Sequence, residues 1–345
     1  MHSVAFSSLS TEEARLNFEQ IFHENGFVRI DGVFSTEELA ELRDAVKLIV
    51  EGFDPKDHPR TTFNTSDEEK HVSDSYFLDS VDKIRFFYEE KAVDEQSGKL
   101  KVPKEMALNK IGHALHWLDP SFRKITFHER IKKIVSLTGA VQPRVMQSMF
   151  IFKQPKIGGS TNEHVDSTFL HTENGDNLLG VWIAVDPANL DNGCLWFLPG
   201  SHKGKIYNIK LFKIMFLDAN YLSATKQYKF TRTETKHNGK KASSDGPLLK
   251  FVGNRPSFEG CNFIALECQP GSIVLIHGDV VHKSAPNLSE KPRNAYTFHL
   301  ADFASESNGW NETNWSDKFG FFLSKYHHLR LQASGSYKFP VFFEN

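Results

Sequence analysis

From Arg144 onward the chain is a succession of short apolar runs, VMQSMFIF, LLGVWIAV, CLWFL, NFIALEC, GSIVLIHGDVVH and AYTFHLADF, separated by Gly, Pro, Asn and Asp. Runs of this length pair with near neighbours as antiparallel strands, whereas a parallel sheet would need a helix-sized crossover between each of them. The spacing therefore predicts a β-sandwich or barrel. At 345 residues the chain exceeds a common domain length. All-β architectures of this order still fold as one unit, so a single domain over residues 1–345 is expected. Thirty phenylalanines supply a large apolar core and the walls of an apolar pocket.

The first part of the chain reads differently. Ser10 with Glu13 has the pattern of a capping box opening a helix to about Asn25, with Gly26 as its stop. Phe27–Phe34 reads as a strand. Ser35 with Glu38 is a second capping box, followed by Leu39, Leu42, Val46 and Ile49 at helical spacing. The helical elements thus span 10–52. Residues 54–82 are polar and read as a loop, Ile84–Val93 as a strand, and a helix from Pro120 would turn Phe122, Ile125, Ile131 and Ile134 to the core. His113 and His116 stand three apart without a third ligand, which favours structural roles. A basic insertion at about 203–261, including KQYKFTRTETKHNGKK, is a solvated excursion or a cationic cover for an anionic substrate. An aromatic C-terminal extension covers 305–345.

A net charge of -2 and a pI near 6.8 give no global reason to bind nucleic acid or a membrane surface. Three cysteines, Cys194, Cys261 and Cys268, lack both a pairing number and a metal-binding spacing, which points to free thiols in a reducing compartment. No basic patch followed by an apolar run opens the chain, and no window holds the roughly 20 apolar residues of a span. An intracellular, cytoplasmic protein is expected.

The chemistry concentrates in Gly158 to His202. Of sixteen histidines, three have an acid two residues later: His164/Asp166, His171/Glu173 and His277/Asp279. Chance alone gives roughly two, so surroundings must decide. His164-Val165-Asp166 follows a Gly-rich turn and precedes the strand-like GVWIAV. Two residues apart near a strand, an imidazole and a carboxylate converge on one side. A further histidine would complete the 2-His-1-carboxylate face of an Fe(II) oxygenase, which leaves adjoining positions open for co-substrate and O2. His282, at the end of GSIVLIHGDVVH, is the best third ligand. Arg293 follows, with a guanidinium suited to gripping a carboxylate in two parallel hydrogen bonds, and Ser284 could add a hydroxyl. Rival sets are His277/Asp279 with His327 or His328, and His171/Glu173 with His282. A zinc hydrolase on the same ligands would need a base, for which Glu163 or Glu173 is the candidate. A metal-binding sensor without turnover is the third class.

HVD, GVWIAV, DNGCLWFLPGSH and VVHKS with Arg293 resemble the phytanoyl-CoA dioxygenase (phytanoyl-CoA hydroxylase) family of Fe(II)- and 2-oxoglutarate-dependent oxygenases. NKIGHALH and QSMFIFKQP are similar to its branch of phytanoyl-CoA dioxygenase domain-containing proteins, and the resemblance runs from about Phe27 to Ala301. It implies a double-stranded β-helix, a cupin-like jelly roll with flanking helices, in which His164, Asp166 and His282 hold the iron. It implies that Arg293 and Ser284 hold the distal carboxylate of 2-oxoglutarate, and that Lys110, Met149 and Trp182 line the same pocket. Fe(II), 2-oxoglutarate and O2, with ascorbate as a candidate reductant, would serve hydroxylation of a small molecule, which the apolar interior suits to an acyl or acyl-CoA-like compound.

Overall fold

The structure, a computed structural model, describes residues 2–62, 75–172, 177–208, 213–216, 226–233, 236–237, 240–241, 248–304, 310–311 and 313–316. Its strands are β1 (Ser3–Ala5), β2 (Phe27–Asp31), β3 (Ile84–Tyr88), β4 (Leu108–His113), β5 (Pro143–Lys153), β6 (Thr161–His164), β7 (Leu178–Ala184), β8 (Leu195–Phe197), β9 (Lys205–Asn208), β10 (Lys213–Phe216), β11 (Lys229–Arg232), β12 (Lys236–His237), β13 (Lys240–Lys241), β14 (Leu249–Val252), β15 (Ile264–Leu266), β16 (Ile273–His277), β17 (His282–Ser284) and β18 (Arg293–Asp302). The helices are α1 (Glu12–Asn25), α2 (Thr36–Glu51), α3 (Ser75–Leu78), α4 (Lys104–Ala107), α5 (Leu115–Leu118), α6 (Pro120–Thr126) and α7 (Glu129–Ser136).

An eight-stranded sheet runs β1-β2-β16-β7-β18-β5-β4-β3, and a four-stranded sheet runs β15-β8-β17-β6. Except for the parallel β1/β2 pair, the neighbours in both sheets are antiparallel. This is the antiparallel architecture expected from the short-strand pattern, in the jelly-roll form that the family resemblance implies. Alternation along β18 divides its work. Tyr296, Phe298 and Leu300 join Val181, Ile183 and Leu275 in a core shared with Phe18, Leu42, Phe122 and Ile134 of the helices, while Ala295 joins Trp182, Phe197 and Ile276 in a separate inner cluster. Both faces of the central strands are buried, which is why LLGVWIA is continuously apolar instead of alternating.

Several boundaries depart from the sequence expectation, each for a local reason. The first helix is capped by Thr11, whose Oγ1 accepts from the Ala14 N–H at 3.3 Å; Ser10 is the end of a 3-10 turn that buries Leu9 and delays the helix by one residue. The second capping box, Ser35 with Glu38, forms in both directions. Strand β2 ends at Asp31, ahead of Gly32 in the left-handed region, and β3 ends at Tyr88, ahead of a 3-10 turn at Glu90–Ala92. The helix from Pro120 is two helices, because His128 caps a new one by accepting from the Arg130 N–H at 3.1 Å. Within 54–82, Ser75–Leu78 forms a helical turn that buries Phe77; residues 63–74 lie outside the described set. GSIVLIHGDVVH is not one strand ending at His282: β16 stops at His277, and His282 begins β17 in the other sheet.

Candidate metal and co-substrate site

The two imidazoles meet because β6 and β17 are paired with His164 opposite His282. Their ring centres are 4.3 Å apart. Each ring is turned by its own backbone: His164 Nδ1–H donates to Asn162 O at 2.8 Å, and His282 Nδ1–H donates to Val280 O at 3.1 Å. Such bonds fix the tautomer, so both Nε2 atoms carry the lone pair. These atoms face Asp166 Oδ1 at 3.7 and 3.6 Å. One ligand atom from each of the three side chains can be chosen so that all lie within 4.8 Å of one another, and His164, Asp166 and His282 are the set of this kind among the described residues.

Asp166 sits on a 3-10 turn, Asp166–Thr168, tied down by the Ser167 N–H to Gly278 O at 2.9 Å. Burial pushes its carboxyl up, but His299, His282 and His164 together outweigh that and hold it well below the usual carboxylate range. Burial beside His282 takes His164 down to about 4, with Asp166 opposing, so its lone pair is available at neutral pH.

Arg293 opens β18 and lies directly opposite Lys153 of β5. It is 2 % exposed, and its Nη2–H donates to Ser284 Oγ at 3.2 Å. Its Nε and Nη1 have no hydrogen-bond partner among the described residues. Burial lowers this guanidinium to about 10, so it stays charged at neutral pH. Trp182 lies under it, the ring centre 5.5 Å from Cζ. Ser284 passes its own proton to Gly193 O at 2.9 Å, leaving its oxygen to accept from the arginine. Lys110 is buried with Nζ 5.3 Å from the Phe87 ring centre, and burial holds its ammonium well below the usual lysine range. Met149 and Trp182 flank Thr297 on either side in register.

All eight residues singled out from the sequence, His164, Asp166, His282, Lys110, Met149, Trp182, Ser284 and Arg293, line one cavity of about 190 Å³. Sequence reasoning missed two others. Lys153 shares the inward face of β5 with Met149 and Ile151, and its Nζ donates to Gly159 O at 2.7 Å and Ala285 O at 2.6 Å. His299 shares the inward face of β18 with Arg293 and Thr297, its Nε2 3.2 Å from Asp166 Oδ2. Counting by twos from Arg293 along AYTFHLADF would have found it.

Among the described residues neither rival set assembles. His277 Nδ1 accepts from the Asp279 N–H at 3.1 Å, and His171 Nε2 meets Thr313 Oγ1 at 3.1 Å. Glu173, His327 and His328 lie outside the described residues. His113 and His116 are held through Nδ1 by Ser80 and Ser148 hydroxyls at 2.7 and 2.8 Å. The cavity is also lined by a cluster of apolar side chains, Phe77, Phe169, Leu170, Phe230, Phe251 and Trp315. Phe230 and Phe251 come from the antiparallel pair β11/β14 of the insertion. The described cations of that pair are not turned to the cavity: Lys229 Nζ donates to Ser167 O at 2.6 Å, and Arg232 Nη2 to Trp315 O at 2.8 Å. Parts of the basic insertion and most of 305–345 lie outside the described residues, among which no helix is long and apolar enough to cross a membrane.

Comparison with known proteins agrees with this geometry. The chain is 45% identical over 324 residues to a phytanoyl-CoA dioxygenase domain-containing protein 1 homolog of Caenorhabditis briggsae, covering 94% of this chain and 98% of that one. It is 40% identical to phytanoyl-CoA dioxygenase domain-containing protein 1 of Rattus norvegicus, over 85% and 91% of the two chains. Its fold resembles that of the epimerase SnoN, solved with Fe3+, alpha ketoglutarate and nogalamycin RO, at a TM-score of 0.52 and 15% identity over 85% of each chain. The sequence model of the phytanoyl-CoA dioxygenase family matches residues 22–295, and the chain belongs to that family.

Proposed function

We propose that this chain is an Fe(II)- and 2-oxoglutarate-dependent dioxygenase in which His164, Asp166 and His282 hold the iron, Arg293, held in place by Ser284, grips the far carboxylate of 2-oxoglutarate, and an apolar substrate is hydroxylated. The observation that carries this reading is Arg293. A charged guanidinium buried with Nε and Nη1 unpartnered among the described residues is costly by itself, and a carboxylate approaching it can fork onto Nη1–H and Nη2–H, the anionic ligand such a buried cation favours. The donor set fits as well: two neutral imidazoles and a carboxylate suit ferrous iron with positions left for other ligands.

When bound, iron with 2-oxoglutarate and O2 supplies oxidative decarboxylation to succinate and CO2 and the oxidising power for C–H hydroxylation. The protein's own part is orientation and exclusion of water. Asn162 O and Val280 O aim the two imidazoles. Trp182 and Ser284 keep the guanidinium in place, and Lys110 and Met149 line the same cavity, Lys110 with its Nζ 5.8 Å from the Phe77 ring centre. Phe169, Phe230, Phe251 and Trp315 form an apolar wall of the cavity, which favours an acyl-like or other apolar group and keeps bulk water off it. A hydrolase on the same ligands would want a free base, and Glu163 is instead paired with Lys283 at 2.9 Å.

The test is anaerobic titration with Fe(II) and then 2-oxoglutarate, followed by succinate release on admitting O2. A metal-to-ligand charge-transfer band and succinate formation are expected, both lost in Asp166→Ala while the fold is retained. A wild-type protein that develops no such band, or an Asp166→Ala variant with undiminished turnover, would refute the assignment.

A further inference from the structure

We infer that His299 is a positioning residue for the metal site, taking one oxygen of Asp166 so that the other alone is left for the ion; this rests on the iron-site reading above. The two carboxylate oxygens have different surroundings. Oδ1 faces the Nε2 atoms of His164 and His282 at 3.7 and 3.6 Å. Oδ2 faces away from them, 3.2 Å from His299 Nε2. The far side of the His299 ring is also engaged, because Gln147 Nε2–H donates to its Nδ1 at 3.2 Å. An amide proton on Nδ1 puts the ring's own proton on Nε2, toward the carboxylate. Gln147, His299 and Asp166 thus form one directed chain of donors.

Strand register builds this chain. His299 of β18 lies between Gln147 of β5 on one side and Gly180 of β7 on the other. A Cβ at Gly180 would come 3.1 Å from Asp166 Oδ2 and 3.3 Å from Ile276 Cβ. The missing side chain at 180 is the room into which Oδ2 turns to reach His299. A carboxylate with both oxygens at liberty could chelate the ion and use up a position that the co-substrate and O2 need. Engagement of Oδ2 by His299 prevents that, and it fixes the carboxylate plane in the way that outer partners orient metal ligands generally.

The experiment is anaerobic Mn(II) titration followed by electron paramagnetic resonance, with the melting temperature of metal-free protein measured alongside. His299→Leu is expected to weaken Mn(II) binding by about 10–100-fold, the usual loss for an outer partner, at an unchanged metal-free melting temperature. His299→Gln, whose amide N–H can meet the same oxygen, should recover most of the affinity, which a purely space-filling role would not require. Wild-type Mn(II) affinity in His299→Leu, or no recovery in His299→Gln, overturns the inference. Should His299→Leu not fold, Gly180→Ala carries the test from a different strand: it should displace Oδ2 and weaken Mn(II), and unchanged affinity there overturns the inference equally. Failure of the wild-type protein to bind Mn(II) would instead strike the iron-site reading, and this inference with it.

Discussion

The two faces of β18 differ in how completely their chemistry is spent. Outward, Phe298 and Leu300 pack on the helices and Tyr296 closes its one polar atom against Thr126 Oγ1 at 2.6 Å. Inward, Arg293 keeps two buried N–H groups without a partner, and His299 turns toward a carboxylate. One strand therefore carries a face that is finished by folding and a face that is finished by a ligand. A folded protein tolerates the second only where binding satisfies it.

The comparison breaks most visibly on the outer face. Phe298→Ala should cost about 3–5 kcal/mol of stability, as large core truncations do, while folded molecules keep wild-type affinity for Fe(II) and 2-oxoglutarate. Chemical denaturation and metal titration measured together decide it; a parallel loss of affinity would show that the faces are not separable. On the inner face, Arg293→Leu should lower 2-oxoglutarate affinity on the order of a hundredfold, two charge-assisted hydrogen bonds at about 1.5 kcal/mol each, with Fe(II) binding alone unaffected. The ligand-free variant should be no less stable than wild type, because it no longer buries an unsatisfied cation. Calorimetric titration and thermal melting check the two halves.

A third measurement probes the boundary between sheet and helices. Burial takes His116 down to about 3, so the unfolded chain binds the proton more readily than the folded one. Its contribution is intact above the unfolded pKa near 6.5 and is lost as pH falls from there toward 3, amounting to about 2 kcal/mol by pH 5. His116→Asn should flatten the fall of melting temperature between pH 6.5 and 5; an unchanged slope would remove His116 from the account. The smallest effect is expected farthest from the cavity. Ser35→Ala, which opens the α2 capping box, should cost about 1 kcal/mol and leave metal binding alone.

The sequence exposed the two faces unequally. The core was legible from short apolar runs in the strands and from apolar residues at every third or fourth position in the helices, patterns with few other uses. His164 and Asp166 were legible because one short segment carries both. Arg293 and Ser284 were legible because they follow closely on His282. His299 stands an even number of positions from Arg293, a local signal that gains meaning once Arg293 is placed on the inward face of β18. Lys153 was not legible, because what brings it in is register between strands distant in the chain. The aromatic wall escaped for the same reason: Phe77, Phe230, Phe251 and Trp315 come from four separate segments. Thr11 taking the cap from Ser10, and His128 dividing a helix in two, are choices made by burial of Leu9 and by a side-chain cap, each decided within a single turn.

The 3-10 turn Asp166–Thr168 has a second duty. Its first residue points a carboxylate into the cavity, and its next offers a carbonyl to Lys229, the foot of the strand that carries Phe230. Ser167 also donates through Oγ to Asp279 Oδ1 at 2.5 Å, fastening the same turn to the loop between β16 and β17. The carboxylate and the strand of Phe230 are thus fastened to two consecutive residues, Asp166 and Ser167. A single peptide unit joins the residue that offers the carboxylate to the residue that anchors the Phe230 strand.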